Sequence, residues 1–130
     1  MRVVCGALLR EGRLLATRRG PTMRHAGRWE LPGGKVEPGE DDATALAREL
    51  SEELALQVTV GTPIGEAVTP AGGGELRLVA YLVTSTDTPV LREHDAARWL
   101  TADTLEDVVW ADGDVPLLPA LRAALQRDGA

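Results

Sequence analysis

The 130-residue chain has no phenylalanine, one tyrosine, three tryptophans, one cysteine and two histidines. Each scarcity excludes something. Cys5 has no partner for an internal disulfide, and within the apolar run VVCGALL it reads as a small buried core residue. His25 and His94 show no paired metal-ligand spacing and are read as solvated. With so few aromatics, no stacking platform for a nucleotide base is evident, and Trp29, Trp99 and Trp110 are read as core or rim packing. No apolar run approaches the ~20 residues that cross a bilayer, and MRVVCGALLR lacks the long apolar stretch and cleavage site of a secretory signal. A cytoplasmic protein with no membrane partner is expected.

The net charge of -6 disfavours binding to a nucleic-acid polymer, whose phosphates attract clustered lysine and arginine. Charge is unevenly placed. Residues 1–28 hold seven arginines and the single acid Glu11, whereas residues 37–53 hold seven acids and only Arg48. Two readings stand open: separate solvated faces, or a site where arginines meet phosphate oxygens and carboxylates hold their cations.

The length suits one domain, residues 1–130. Residues 3–9 and 13–19, joined by Arg10-Glu11-Gly12, predict a hairpin. Residues 20–28 predict a loop, continued by the prolines and glycines at 32, 33, 34, 38 and 39, too dense for a regular element. Ala43, Leu46, Ala47, Leu50 and Leu54 recur at helical spacing, and acids at 40–42 suit a helix N-terminus, predicting a helix over 42–54. Residues 57–70 and 75–86 flank Ala71-Gly72-Gly73-Gly74 as a second hairpin, and 97–101 predicts a short strand. A short helix begun by Thr101 or Asp103 and an amphipathic helix over 115–127 complete an α+β chain, a mixed sheet between helices.

The helix concentrates chemistry. At about 100° per residue, Glu49, Glu52 and Glu53 share one flank beside the apolar stripe. Arg48 lies four residues before Glu52, close enough to pair with it. Such carboxylates repel and raise one another's pKa, a penalty that a hard divalent cation removes. On the helix alone, a solvated acidic face is the favoured reading. The preceding Gly33-Gly34 permits close backbone approach and frees a carbonyl as a further oxygen ligand.

Gly34, five residues, Glu40, seven residues and Arg48-Glu49-Leu50-Ser51-Glu52-Glu53-Leu54-Ala55-Leu56 resemble the Nudix box, GX5EX7REUXEEXGU, over 23 consecutive positions. One position departs, Ala55 standing where the family has glycine. The resemblance implies the Nudix fold, a mixed β-sheet sandwiched between α-helices, and hydrolysis of a nucleoside diphosphate linked to another moiety. It implies Glu49, Glu52 and Glu53 as metal-binding acids for Mg²⁺, with Mn²⁺ as the alternative, and the Gly33 carbonyl as a further ligand. Glu40 and Arg48 would organise the loop and the catalytic carboxylates.

With less specific motifs the likeness extends over nearly the whole chain to the MutT-like nucleoside triphosphate pyrophosphohydrolases. Trp29-Glu30-Leu31-Pro32-Gly33-Gly34-Lys35-Val36-Glu37 resembles their entry to the box, although Leu31 replaces a common aromatic. Glu93, six residues before Trp99, resembles the acid they bring to the metals from a separate loop. Lys35 and Arg19 are candidate phosphate contacts. Asp114, two residues before Pro116, resembles a base-reading position, with an N-cap on the last helix as the competing role. A carboxylate there accepts from the cytosine amine or the N1 and N2 donors of a guanine-type ring.

The expected reaction converts a nucleoside triphosphate, of oxidised-purine or cytidine type, to monophosphate and pyrophosphate, cleansing the nucleotide pool. The alternatives are hydrolysis of ADP-ribose or a dinucleoside polyphosphate, and a non-catalytic nucleotide-binding module. Monomer and homodimer both remain compatible with the sequence.

Overall fold

A computed structural model describes residues 1–128. Seven strands form one mixed sheet: β1 (Arg2–Arg10), β2 (Arg13–Arg18), β3 (Trp29–Glu30), β4 (Gly33–Lys35), β5 (Thr59–Ala71), β6 (Gly74–Thr84) and β7 (Ala96–Leu100). Helix α1 (Asp42–Leu54) and helix α2 (Leu118–Asp128) cover its two faces.

β1 is the axis. It pairs in parallel with β6 along Arg2–Leu8, and β6 pairs antiparallel with β5. Its other edge forks: residues 3–5 pair with β4, while residues 9–10 pair with β2. At the fork the Gly6 N–H donates to the Pro32 carbonyl at 2.9 Å. Side chains of β1 alternate across the sheet, as strand geometry requires. Val4 and Leu8 pack with Leu46, Leu50 and Leu54 of α1, whereas Cys5 and Ala7 face Leu117, Leu121 and Leu125 on the α2 side. Of the expected stripe of α1, Leu46, Leu50 and Leu54 are buried, Ala47 is partly buried and Ala43 is exposed, with Ala45 in the core in its stead; Cys5 is a core residue.

Several elements differ from expectation. Two short strands, β3 and β4, cross the glycine-proline stretch predicted as loop. β3 pairs with β2, and β4 reaches β1 because Gly33 has no Cβ to overlap the Val4 carbonyl and the Cys5 Cα. The helix expected near residues 101–108 contracts to one 3₁₀ turn at Leu105–Asp107, as the Thr104 hydroxyl bonds the Thr101 N–H at 2.8 Å. The C-terminal helix opens with another 3₁₀ turn, Val115–Leu117, before α2 begins.

α1 starts under the Asp41 carboxylate, which accepts from the Thr44 N–H at 2.8 Å, and ends at Ala55 in the left-handed region, φ 56° and ψ 30°. The departure from the box therefore leaves the helix end in place but puts a Cβ where glycine fits without strain. Ala55→Gly is expected to raise stability by roughly 1 kcal/mol, measured as the midpoint of urea unfolding; an unchanged or lower midpoint contradicts the strain assigned to Ala55.

Candidate functional site

The glycine loop and α1 meet through Gly34. A Cβ on Gly34 would overlap the Glu49 carboxylate, so the absence of a side chain lets that carboxylate lie against β4. Arg48 fixes the same junction. Its Nε and Nη2 bond the two oxygens of Glu40 at 2.8 and 2.9 Å, Nη2 also reaches the Lys35 carbonyl at 3.2 Å, and Nη1 reaches Glu49 at 3.0 Å and Glu52 at 3.4 Å. The paired contact holds the Glu40 carboxyl down at about 2, so the clamp persists far into acid. These Arg48 pairs lie within the acid-rich segment, which is joined to the arginine-rich one where Arg2 meets Asp42 at 2.6 Å.

The second junction is more crowded. Glu53, one turn beyond Glu49, faces Glu30 of β3 and His94 of the loop before β7. Glu30 Oε1 accepts from Arg19 at 2.6 Å, and Glu30 Oε2 lies 2.8 Å from His94 Nε2. His94 Nε2 is also 3.7 Å from Glu53 Oε2. Burial first, then the charges of Glu30 and Glu49, push the Glu53 carboxyl up to about 9. The donor atoms of Glu30, Glu53 and His94 lie within 4.8 Å of one another. Of the two acids, Glu30 is held by Arg19 and His94, whereas Glu53 has no arginine bonded to it and is the carboxylate here that fits a divalent cation.

Two of these residues escaped the sequence reading. His94, expected in solvent, has a side chain only 1% exposed. The loop is held inward, with Gly20 close against the Glu93 carbonyl and the Asp95 N–H bonded to the Arg18 carbonyl at 3.1 Å, and His94 between them is buried. Glu30 stood within the entry motif without a role; its alternation with the buried Trp29 and Leu31 was the available signal. His25, by contrast, is exposed.

A cavity of about 860 Å³ opens beside both junctions. Of the residues expected from sequence, Gly33, Lys35, Glu49, Glu52, Glu53, Glu93, Arg19 and Asp114 line it, whereas Arg48 stands behind the carboxylates it holds. Glu52 and Glu93 are the more solvent-facing acids. Arg19 is engaged with Glu30 and with the Arg24 carbonyl, while Arg24 and Arg92 add cationic groups to the lining. Val3, Cys5, Leu31, Leu76 and Leu78 make an apolar wall.

Asp114 stands at that wall. β3 is braced to the chain near Trp110 by bonds from the Trp29 N–H to the Val109 carbonyl, 2.9 Å, and from the Ala111 N–H to the Trp29 carbonyl, 2.7 Å. This ladder brings the Asp114 carboxylate to the Leu31 N–H at 2.9 Å. The side chain makes no capping bond to the following turn, so the N-cap role is replaced by this contact. Burial drives the carboxyl up to about 7 against the lowering effect of the Leu31 bond. Trp29 and Trp110 are buried in the core, and Arg18 lies over Trp29; packing is their role here.

A glycine loop, a clamped acidic helix and a cavity with a polar residue in an apolar wall make up the site. The NUDIX domain family profile matches residues 1–121, and the chain belongs to the Nudix hydrolase family. It is similar to the "Putative 8-oxo-dGTP diphosphatase 2" of Mycobacterium tuberculosis, 43% identical over 115 residues, covering 86% of this chain and 81% of that protein. It is also similar to the "CTP pyrophosphohydrolase" of Escherichia coli, 37% identical over 130 residues, covering 97% and 96%. The solution structure of the E. coli ORF135 protein superposes with a TM-score of 0.85 at 36% identity, covering 94% of this chain and 88% of that one. Among the described residues, no helix is long and apolar enough to cross a membrane.

Asp114 links the cavity to stability. Its folded pKa of about 7 exceeds the ordinary 3.8, so the folded state binds the proton more tightly and stability falls as pH rises from about 4 through 7. Asp114→Asn retains an acceptor for the Leu31 N–H without the buried charge. The variant is expected to match the wild type near pH 4 and to exceed it at pH 8 by on the order of a few kcal/mol, as read by urea unfolding at both pH values. Parallel pH profiles would contradict this assignment.

Proposed function

We propose that the chain hydrolyses nucleoside triphosphates to nucleoside monophosphate and pyrophosphate with Mg²⁺, or Mn²⁺ in its place. The observation that carries the reading is the crowding of Glu53 by Glu30 and Glu49 at one end of a nucleotide-sized cavity whose other wall is apolar and holds Asp114. Glu49, Glu52, Glu53, Glu93 and the Gly33 carbonyl are the proposed ligands. When bound, the cation neutralises phosphate charge and acidifies water for attack on phosphorus. The residues of the chain do the positioning.

Arg48 fixes the direction of Glu49 and Glu52 through the contacts it makes with both and with Glu40. Lys35, Arg24 and Arg92 face the cavity as phosphate contacts, and Arg19 acts mainly by holding Glu30. The apolar wall receives the base and excludes water around Asp114. An ionised Asp114 accepts from a base amine, while its protonated form also donates to a ring nitrogen or carbonyl. Cytosine and an oxidised guanine both offer such partners, in keeping with the substrates named for the two relatives above.

Incubation with a panel of ribo- and deoxyribonucleoside triphosphates, including CTP, dCTP and 8-oxo-dGTP, is expected to release monophosphate and pyrophosphate from one base class in the presence of Mg²⁺. Release of single phosphate, or turnover only of ADP-ribose or a dinucleoside polyphosphate, would refute the proposed bond or substrate. Glu53→Gln is expected to lower kcat at least about 100-fold, since several kcal/mol of charge stabilisation is at stake and each 1.4 kcal/mol is tenfold. Near-normal kcat in the folded variant would remove Glu53 from the reaction.

A further inference from the structure

His94 occupies a position that the proposed reaction does not itself use. Its ring is buried between two carboxylates, 2.8 Å from Glu30 Oε2 and 3.7 Å from Glu53 Oε2 at the same Nε2 atom. An ionised carboxylate only accepts, so Nε2 carries the hydrogen in the shorter contact. Nδ1 is buried and has no hydrogen-bond partner among the described residues. The ring is therefore oriented without a polar anchor on its far side, and a single N–H meets the acids.

The loop carrying His94 is strapped down independently. Gly20 abuts the Glu93 carbonyl, the Asp95 N–H donates to the Arg18 carbonyl at 3.1 Å, and the Arg18 Nε donates to the Asp95 carboxylate at 2.7 Å. These contacts fix where the N–H points. Glu30 is consequently held from two sides, Arg19 on one oxygen and His94 on the other. Removal of the His94 bond would leave Oε2 unscreened beside Glu53, and the repulsion between the two carboxylates would turn Glu53 from its direction.

We propose that His94 is a positioning residue: its Nε2–H holds Glu30 Oε2 beside Glu53 and screens the two carboxylates from each other, so that Glu53 keeps its direction toward the cation. The inference rests on the metal-dependent reaction proposed above. It makes the influence of His94 conditional on the charge of Glu30, which packing alone would not do.

A double-mutant cycle tests it. Wild type, His94→Leu, Glu30→Gln and the double variant are titrated with Mn²⁺ by calorimetry without nucleotide, and kcat and KM are then measured separately. Leucine fills space without an N–H. In the wild-type background His94→Leu is expected to weaken Mn²⁺ binding about 10-fold, as loss of a group orienting a metal ligand does. In the Glu30→Gln background its effect is expected to shrink to about 2-fold or less, within ordinary additivity. His94→Gln, whose amide N–H can reach toward Glu30, is expected to recover most of the affinity.

Equal losses in both backgrounds, or no recovery with glutamine, would overturn the positioning role. If His94→Leu does not fold, the cycle is run with His94→Gln and with His94→Met, whose flexible side chain has no donor. Equal affinities for these two in the folded proteins would overturn it as well. Failure of the underlying metal reading is distinguished by Glu53→Gln: unchanged Mn²⁺ binding and turnover in that variant would sink the reading itself.

Discussion

Like charges repel most strongly where water is scarce, and this fold gathers Glu30, Glu49 and Glu53 around one partly buried corner. The local architecture serves that placement. Gly34 gives the Glu49 carboxylate room against β4, and Gly33 lets β4 lie on β1. Arg48 compensates one side of the acidic group and Arg19 another, yet Glu53 remains far above the ordinary carboxylate range because neither arginine bonds it directly. An unfilled electrostatic demand is thus built into a preorganised pocket, and the proposed cation with its polyphosphate would satisfy it.

The cavity is correspondingly two-ended. For the proposed reaction, its acids and cationic side chains suit metal and phosphate, while Cys5, Leu31, Leu76 and Leu78 suit a base. β3 joins these halves. Glu30 turns toward the acids, the next residue gives its N–H to Asp114, and the preceding Trp29 braces the strand through two backbone bonds to residues 109 and 111. A displacement of this two-residue strand would move both ends together, so the length of a strand is a poor guide to its functional weight.

Much of this was legible in the sequence. Apolar spacing placed α1, and short runs joined by glycine-containing turns located β1, β2 and the β5–β6 hairpin, because these signals are local in sequence. The glycine-proline stretch misled for a physical reason: its pairing depends on β1, distant in sequence, and on the missing Cβ of Gly33. Asp114 was placed near its residue-level signal but its partner, Leu31, lies 83 positions away. His94 was the clearest error. An unpaired histidine in a polar loop resembles a solvated residue, and only the tertiary contact at Gly20 reveals that the loop turns inward.

Thermal unfolding of metal-free wild type and Glu53→Gln at pH 8, each repeated with saturating Mn²⁺, addresses the central electrostatic claim most directly. The ordinary carboxyl value of 4.5 against about 9 in the folded state makes Glu53 an increasing burden as pH rises across that interval. The account predicts a higher Tm for metal-free Glu53→Gln than for metal-free wild type, and a Mn²⁺-induced rise that is large in the wild type and small in the variant. A less stable metal-free variant, together with equal rises on adding Mn²⁺, would contradict it.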